Sequence, residues 1–414
     1  MNTISITSAE AHDLRFPLPG GMGSDALHRN PTYSYAITVL HSANGLKGVG
    51  LTFTLGRGNE LVCSCIQLLL PYVNGCEIEE LMANFGQTFR EMSNDSQLRW
   101  LGPHKGVVHL ALASITNACF DLWAKARRQP LWKLLLDLTP EEVVNLLDLT
   151  YLEDALTAEE AIDILRQREA SRVLRESVLR EGYPAYDTSV GWFSYSDYEI
   201  QERARCSINT GFRAVKLKVG APTINTDLRR AEAIRAAIGS EIALMLDANQ
   251  KWNPRDAVDA CRQLAAVDPF WIEEPTHPDD VHAHRKLAQA IAPTRLAAGE
   301  HIANRIQFKN YLQSGGVSFV QADTTRIGGV TEFIVVSLLA RKFGVPVTPH
   351  AGDMSQIHQH LVFFNHVAIG HPVLFLEYIP ALRSHFVIPA HVENGLYAAP
   401  LEPGNSCDLA ELCD

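Results

Sequence analysis

The sequence predicts an α/β fold: a (β/α)8-type barrel carrying an N-terminal α+β capping domain. Three observations predict it. Seven short apolar runs recur between residues 215 and 378, each ending in a charged residue, with steps of 29, 26, 27, 23, 27 and 27 residues between the charged tips. That spacing suits one buried strand plus one return helix. Helical patterns fill the intervals, and the first sixty residues alternate in strand style instead. At 414 residues the chain also exceeds an ordinary single domain, so two are expected.

In chain order, SYAITVLHS and KGVGLTFTLG alternate as strands, and LPGGMGSDALH (18–28) is a Gly-rich loop. From 59 to 138 the pattern is helical. It is clearest in 106–126, where Val108, Leu112, Ile115, Ala118, Cys119 and Leu122 fall at steps of three and four. A charged helical insertion or linker covers 146–182. YPAYDTSVGW (183–192) opens the barrel, followed by VKLKVG, IALMLDAN, FWIEEP, RLAAGE, FVQAD, VPVTPH and VLFLEY, which makes eight strands. The helices between them include 227–239, 254–267, 282–292 and 331–344, with Gly239 and Gly344 as terminators. The expected division is a cap over 1–145 completed by the tail 385–414, the insertion, and a catalytic barrel over 183–384.

A net charge of −11 argues against nucleic acid or an anionic membrane as partner, both of which need a basic footprint. No secretory leader is legible in MNTISITSAEAHDLRF, and no apolar run reads as a membrane span. The eight cysteines are scattered, with only Cys63 and Cys65 close together, which reads as reduced thiols in a cytoplasmic protein.

Strand tips of a parallel barrel converge on one open face. The tips here are Lys218, Asp247, Glu273, Glu300, Asp323, His350 and Glu377. Asp247, Glu273 and Glu300 close consecutive strands, and three gathered carboxylates need a cation. Hard oxygen ligands with positions left for water and substrate favour Mg2+, one per subunit. Glu274 points the other way on its strand and is expected to orient neighbours. Lys216 and Lys218 share a face; each ammonium is expected to depress the pKa of the other. Lys218, nearer the mouth, is assigned proton transfer, with Lys216 tuning it and touching a substrate carboxylate. Asp323 beside His350 reads as an acid/base dyad, and Glu377 as a hydrogen-bonding acid completing the ring. His358, His360, His366 and His371 read as helix and loop residues, since His358 and His360 do not share a helical face.

KLK (216–218), DAN (247–249), EEP (273–275), GE (299–300), QAD (321–323) and PH (349–350) together resemble the enolase superfamily, in its mandelate-racemase-like branch. The resemblance spans nearly the whole chain. NDSQLRW (94–100), GPHKGVVHLA (102–111), GYPAYDTSVGW (182–192) and WIEEPTHPDD (271–280) look most like L-fuconate dehydratases and their L-galactonate dehydratase relatives. The resemblance implies a TIM-like, enolase-type barrel with Mg2+ on Asp247, Glu273 and Glu300, Lys218 as base, and His350 with Asp323 as the dyad. Two departures stand out. HAGDMSQIHQH (350–360) lacks the Gly-Gly pair such proteins carry after the histidine, and Asp187 replaces a Thr.

The implied activity is a hydro-lyase: abstraction of the C2 proton of an aldonate and loss of its 3-hydroxyl, giving a 2-keto-3-deoxy acid. Asn249, Tyr186, Asp187, His301 and Arg326 are expected to bind the sugar acid, with cap loops around 18–30 and 52–60. A homo-oligomer is expected. Other aldonate or aldarate dehydratases, a racemase or epimerase on the same scaffold, and a non-catalytic barrel remain alternatives, since barrels host many chemistries.

Overall fold

The computed structural model describes residues 4–413; positions 1–3 and 414, the outermost residues of the expected cap, lie outside it. The cap opens with an antiparallel sheet of β1 (Ile6–Pro17), β2 (Thr32–Ser42) and β3 (Lys47–Thr54), in the order β1-β2-β3. β2 is central and buried along nearly its whole length. The helix Gly106–Ala126 packs on β3 and β2. Close approach is possible because β3 carries Gly50: a Cβ there would lie 2.0 Å from the Ser114 carbonyl oxygen. That helix is long and apolar enough to cross a bilayer, which the sequence reading did not credit, but 89% of its apolar window is buried inside the protein. Its Asn117 reaches out of the cap, donating to Thr324 O at 3.0 Å and accepting from Val330 N at 3.1 Å.

The barrel strands are β4 (Tyr183–Gly191), β5 (Ala214–Lys218), β6 (Ala243–Asp247), β7 (Trp271–Glu273), β8 (Leu296–Ala298), β9 (Phe319–Val320) and β10 (Leu376–Tyr378). They pair in parallel from β4 to β9, and β10 returns to β4. The expected strand VPVTPH is reduced to a single bridge, Val347 to Val320. The ring closes through Gly352 N, which donates to Glu377 O at 2.8 Å. Gly352 is needed there, since a Cβ would fall 2.5 Å from Leu376 Cγ.

Alternation along the strands decides what faces inward. On β5, Val215 and Leu217 join the main core under the helices while Lys216 and Lys218 point into the barrel. The closed end is plugged by Tyr186, Ala214, Met245, Trp271, Ala297 and Phe319, an apolar cluster separate from the main core. The tail divides. Its hairpin Val392–Glu393/Leu396–Tyr397 extends the barrel sheet at β4, whereas Gly404 and Asn405 bond Leu131 N and Asp121 of the cap.

Cap and barrel are joined by a buried ionic network. Arg305, fully buried, donates to Asp148 at 2.5 Å and Glu332 at 3.0 Å; Glu332 also meets His109 of the cap helix at 2.6 Å. Burial opposes the charge of Glu332, yet His109 and Arg305 hold it well below the usual carboxylate range.

Candidate active site

A cavity of about 710 Å³ lies over the C-terminal ends of the barrel strands, beneath the cap. Its barrel side presents Lys218, Asn249, Glu300, His301, His350 and Glu377. Its cap side brings Leu27, Tyr33, Phe53 and Leu55, together with the pair Asp25 and His28 from the Gly-rich loop.

Asp247 and Glu273 occupy matched positions on adjacent strands. Both are fully buried, and lysines stand between and beside them. Lys216 Nζ lies 3.0 Å from Glu273, 3.4 Å from Asp247 and 2.6 Å from Glu377. Lys218 Nζ lies 2.5 Å from Asp247. Burial, then the charge of Asp247, pushes Glu273 up to about 8.

Three expectations are corrected here. The lysines do not have depressed pKa values. Burial pushes Lys218 down and Lys216 adds to that, but the Asp247 carboxylate outweighs both and raises it; Glu273 and Glu377 do the same for Lys216. Lys216 is 1% exposed and does not reach the cavity, so it makes no substrate contact and serves as an ion-pair hub under the floor. Glu377 is no acid: despite burial, Lys216 and His350 hold it down at about 2. As a carboxylate it accepts from Thr188 Oγ1 at 2.5 Å and Ala351 N at 3.0 Å.

Glu300 lies on the other side of the cluster. His350 Nε2 meets its Oε2 at 2.9 Å, His301 Nδ1 its Oε1 at 3.1 Å, and Asn249 Nδ2 its Oε1 at 3.5 Å. Burial opposes its charge, but the two imidazoles hold it well below the ordinary range. The Asp323–His350 pair forms as expected, with Nδ1 donating to Oδ2 at 2.7 Å. Burial disfavours the imidazolium, but Glu300 and Asp323 raise His350 well above its ordinary value, and His350 in turn helps keep Asp323 low.

Glu274, with φ of 42°, turns its buried carboxylate toward His301 Nδ1 at 3.0 Å and Gln250 Nε2 at 2.8 Å. Glu274, Glu300 and His301 are the one trio of metal-ligand type whose donor atoms lie mutually within 4.8 Å among the described residues. His301 Nδ1 lies within hydrogen-bond reach of both carboxylates, and they push it up to about 10 against burial. The trio is therefore an imidazole clamp closed by its own hydrogen bonds.

Of the expected sugar-binding residues, Asn249, His301 and Arg326 line the cavity. Tyr186 and Asp187 do not, which corrects both. Tyr186 is fully buried among the plug residues below the floor. Asp187 points outward, bonding Ser189 at 2.6 Å and lining a separate surface cleft with Arg203 and Cys206. Sequence reasoning missed Trp192, Met354 and Ile379, apolar residues just beyond the strand ends that wall the cavity. It also set aside His358, which is fully buried behind the dyad.

Residues 199–412 match the model of the "Enolase C-terminal domain-like" family. Over 99% of this chain and 93% of its own length, an L-galactonate dehydratase from Hypocrea jecorina is 39% identical. The crystal structure of human mitochondrial enolase superfamily member 1 superimposes with a TM-score of 0.96 at 40% identity, covering 99% of this chain and 95% of that one. A racemase from Streptomyces coelicolor A3(2), crystallised with bound magnesium, reaches 0.78 at 25% identity over 98% of both chains.

Proposed function

Because the chain belongs to the enolase superfamily, we propose that it is a magnesium-dependent acid-sugar dehydratase acting on L-fuconate or a closely related six-carbon aldonate. One observation carries the reading. Lys218, from β5, and the Asp323-held His350, from the loop beyond Val347, face the same cavity, with Glu300 between imidazole and sugar-binding residues.

Asp247, Glu273 and Glu300 offer the hard oxygen donors a divalent cation takes, less tightly gathered than Glu274, Glu300 and His301. Asp247 and Glu273 repel each other enough to raise Glu273, and the buried Asn249 Oδ1 has no hydrogen-bond partner among the described residues. Asp247, Glu273 and Glu300 would hold Mg2+. Bound there, it would offset the negative charge that develops on the substrate carboxylate when the adjacent carbon loses its proton. A Lys or His base paired with such a cation is a known property of the superfamily, not a deduction from these residues.

The chain's own groups then divide the work. Lys218 takes the C2 proton, a role open to it once a cation on Asp247 offsets the carboxylate charge that otherwise keeps it an ammonium. His350, its ring fixed by Asp323, returns a proton to the departing 3-hydroxyl, so that water leaves and the enol rearranges to a 2-keto-3-deoxy acid. Asn249 and His301 bind hydroxyls on the barrel side. The cap side of the cavity is largely apolar, with Leu27, Phe53 and Leu55, and Met354 and Ile379 of the barrel continue that wall, while Asp25 and His28 are paired and Arg326 donates to Phe53 O at 3.3 Å. That wall suits a methyl or hydroxymethyl end better than a second carboxylate, which favours an aldonate over an aldarate.

The test is incubation of the purified protein and MgCl2 with L-fuconate, L-galactonate and galactarate in D2O. Keto-acid formation from an aldonate supports the proposal. Deuterated starting acid without keto acid would instead mean a racemase or epimerase, the reading that two facing proton-transfer groups also allow. The same proposal includes a homo-oligomer, read by sedimentation velocity. It also places the protein in the reducing cytoplasm, in keeping with eight free cysteines.

A further inference from the structure

We propose that His358 is a positioning residue that holds Asp323 and His350 in register, an inference that rests on the dehydratase reading above. His358 stands on the helix Ile357–Phe364 and is fully buried. The backbone N–H of Thr324 donates to its Nε2 at 2.9 Å, with the Thr324 hydroxyl at the same distance. A backbone N–H can only donate, so Nε2 carries no proton. The ring proton is therefore on Nδ1, which donates to Ala351 O at 2.6 Å.

Thr324 directly follows Asp323, and Ala351 directly follows His350. One neutral ring thus spans the two segments that carry the dyad, gripping each a single residue beyond its member. Asp323 is tied on its other oxygen as well: Oδ1 accepts from Thr325 N and Oγ1, both at 2.7 Å. His358 Nε2 lies 3.5 Å from that oxygen and has no proton to share with it, so the link runs through backbone, not through an ion pair. Ala351 is held in the left-handed region, φ 53°, with its N–H on Glu377 and its carbonyl on His358. Remove the ring and that buried carbonyl loses its partner. The segment bearing His350 can then relax to an unstrained backbone, carrying the imidazole away from Asp323. Lys218, on β5, has no contact with this bracket.

Two full-length variants in the presence of MgCl2 test the assignment. His358→Phe keeps the ring's bulk and loses both hydrogen bonds. His358→Gln offers one donor and one acceptor at a similar separation. We expect H358F to lose about 100-fold or more in kcat for keto-acid formation with KM changed less than about 3-fold, the scale of a displaced acid/base group. Exchange of the substrate C2 proton with D2O, the task of Lys218, should continue. H358Q should return to within about 10-fold of the parent. Elimination by H358F at the parent rate, or equal loss of exchange and elimination in it, would overturn the proposal.

A readout independent of turnover is the imidazole 15N spectrum of the parent protein. It should show His358 as the neutral Nδ1–H tautomer; an Nε2–H or doubly protonated ring would overturn the bracket even if H358F fails to fold. Should the parent dehydrate no acid sugar, the functional reading fails by that result, and the spectrum still decides the geometry.

Discussion

His350 donates its Nδ1 proton to Asp323 Oδ2 at 2.7 Å, across two neighbouring positions of the barrel ring. The carboxylate selects the tautomer and leaves Nε2 facing the cavity side, toward Glu300. Asp323→Asn would present an amide that can equally donate to Nδ1 and so favour the wrong tautomer. We predict a fall in kcat of about 10³ to 10⁴, of the order seen when such a carboxylate is neutralised elsewhere. Steady-state kinetics with keto-acid detection would show it; KM should move far less.

Magnesium should stabilise the protein measurably. A cation that binds only the folded state contributes about 2.7 kcal/mol at 100 times its Kd, which raises Tm by several degrees. Glu273→Gln should abolish most of that rise, measured against its own metal-free baseline. If Glu274→Gln abolishes it while Glu273→Gln does not, the cation belongs to the trio of Glu274, Glu300 and His301.

Arg305 is the most consequential buried ion at the domain junction. Arg305→Met would leave Asp148 and Glu332 without their shared partner inside the protein. Breaking such a pair from one side costs about 3–5 kcal/mol. Urea unfolding should report a loss of that size; a loss below about 1 kcal/mol would mean that Arg90 on Asp148 and His109 on Glu332 suffice.

Asp353 predicts a pH dependence. Burial, assisted by the charges of Glu377 and Asp187, pushes its carboxyl up to about 7 against the hydrogen bond from Ile379 N; the Tyr397 hydroxyl is also near, at 3.4 Å. An acid whose folded pKa is raised binds its proton more tightly folded than unfolded. Its contribution is therefore complete below about pH 4 and is lost as pH rises to about 7. Asp353→Asn should raise Tm at pH 8 relative to the parent by more than it does at pH 5. Equal shifts at both values would refute this.

The charged tips were legible because strand parity and a constant βα period fix where each tip must fall, and β5 shows why. Val215 and Leu217 had to face the helices, so Lys216 and Lys218 had to face inward. Parity says nothing of depth, however. Tyr186 also faces inward but sits among the plug residues, and Lys216 sits under the floor. Asp187, next to Tyr186, necessarily points out. The lysine pKa values were misread because their dominant partners, Asp247 and Glu273, come from strands about thirty or more residues further on. Glu377 was misread for the same reason: its proton is displaced by Lys216, 161 residues earlier in the chain. His358 was invisible as a bracket because both its partners belong to loops, where no period constrains the path.

Thr324 is held from two sides, its N–H by His358 and its carbonyl by Asn117 of the cap helix. The N-terminal half is thus more than a cover; it props the turn from which the dyad's carboxylate projects. Swapping whole halves between relatives to change substrate preference would loosen that prop, whereas grafting only the 18–28 loop would redraw the cavity wall and leave it standing. Directed evolution of this scaffold should accordingly find new specificities in the loop long before it tolerates a foreign cap.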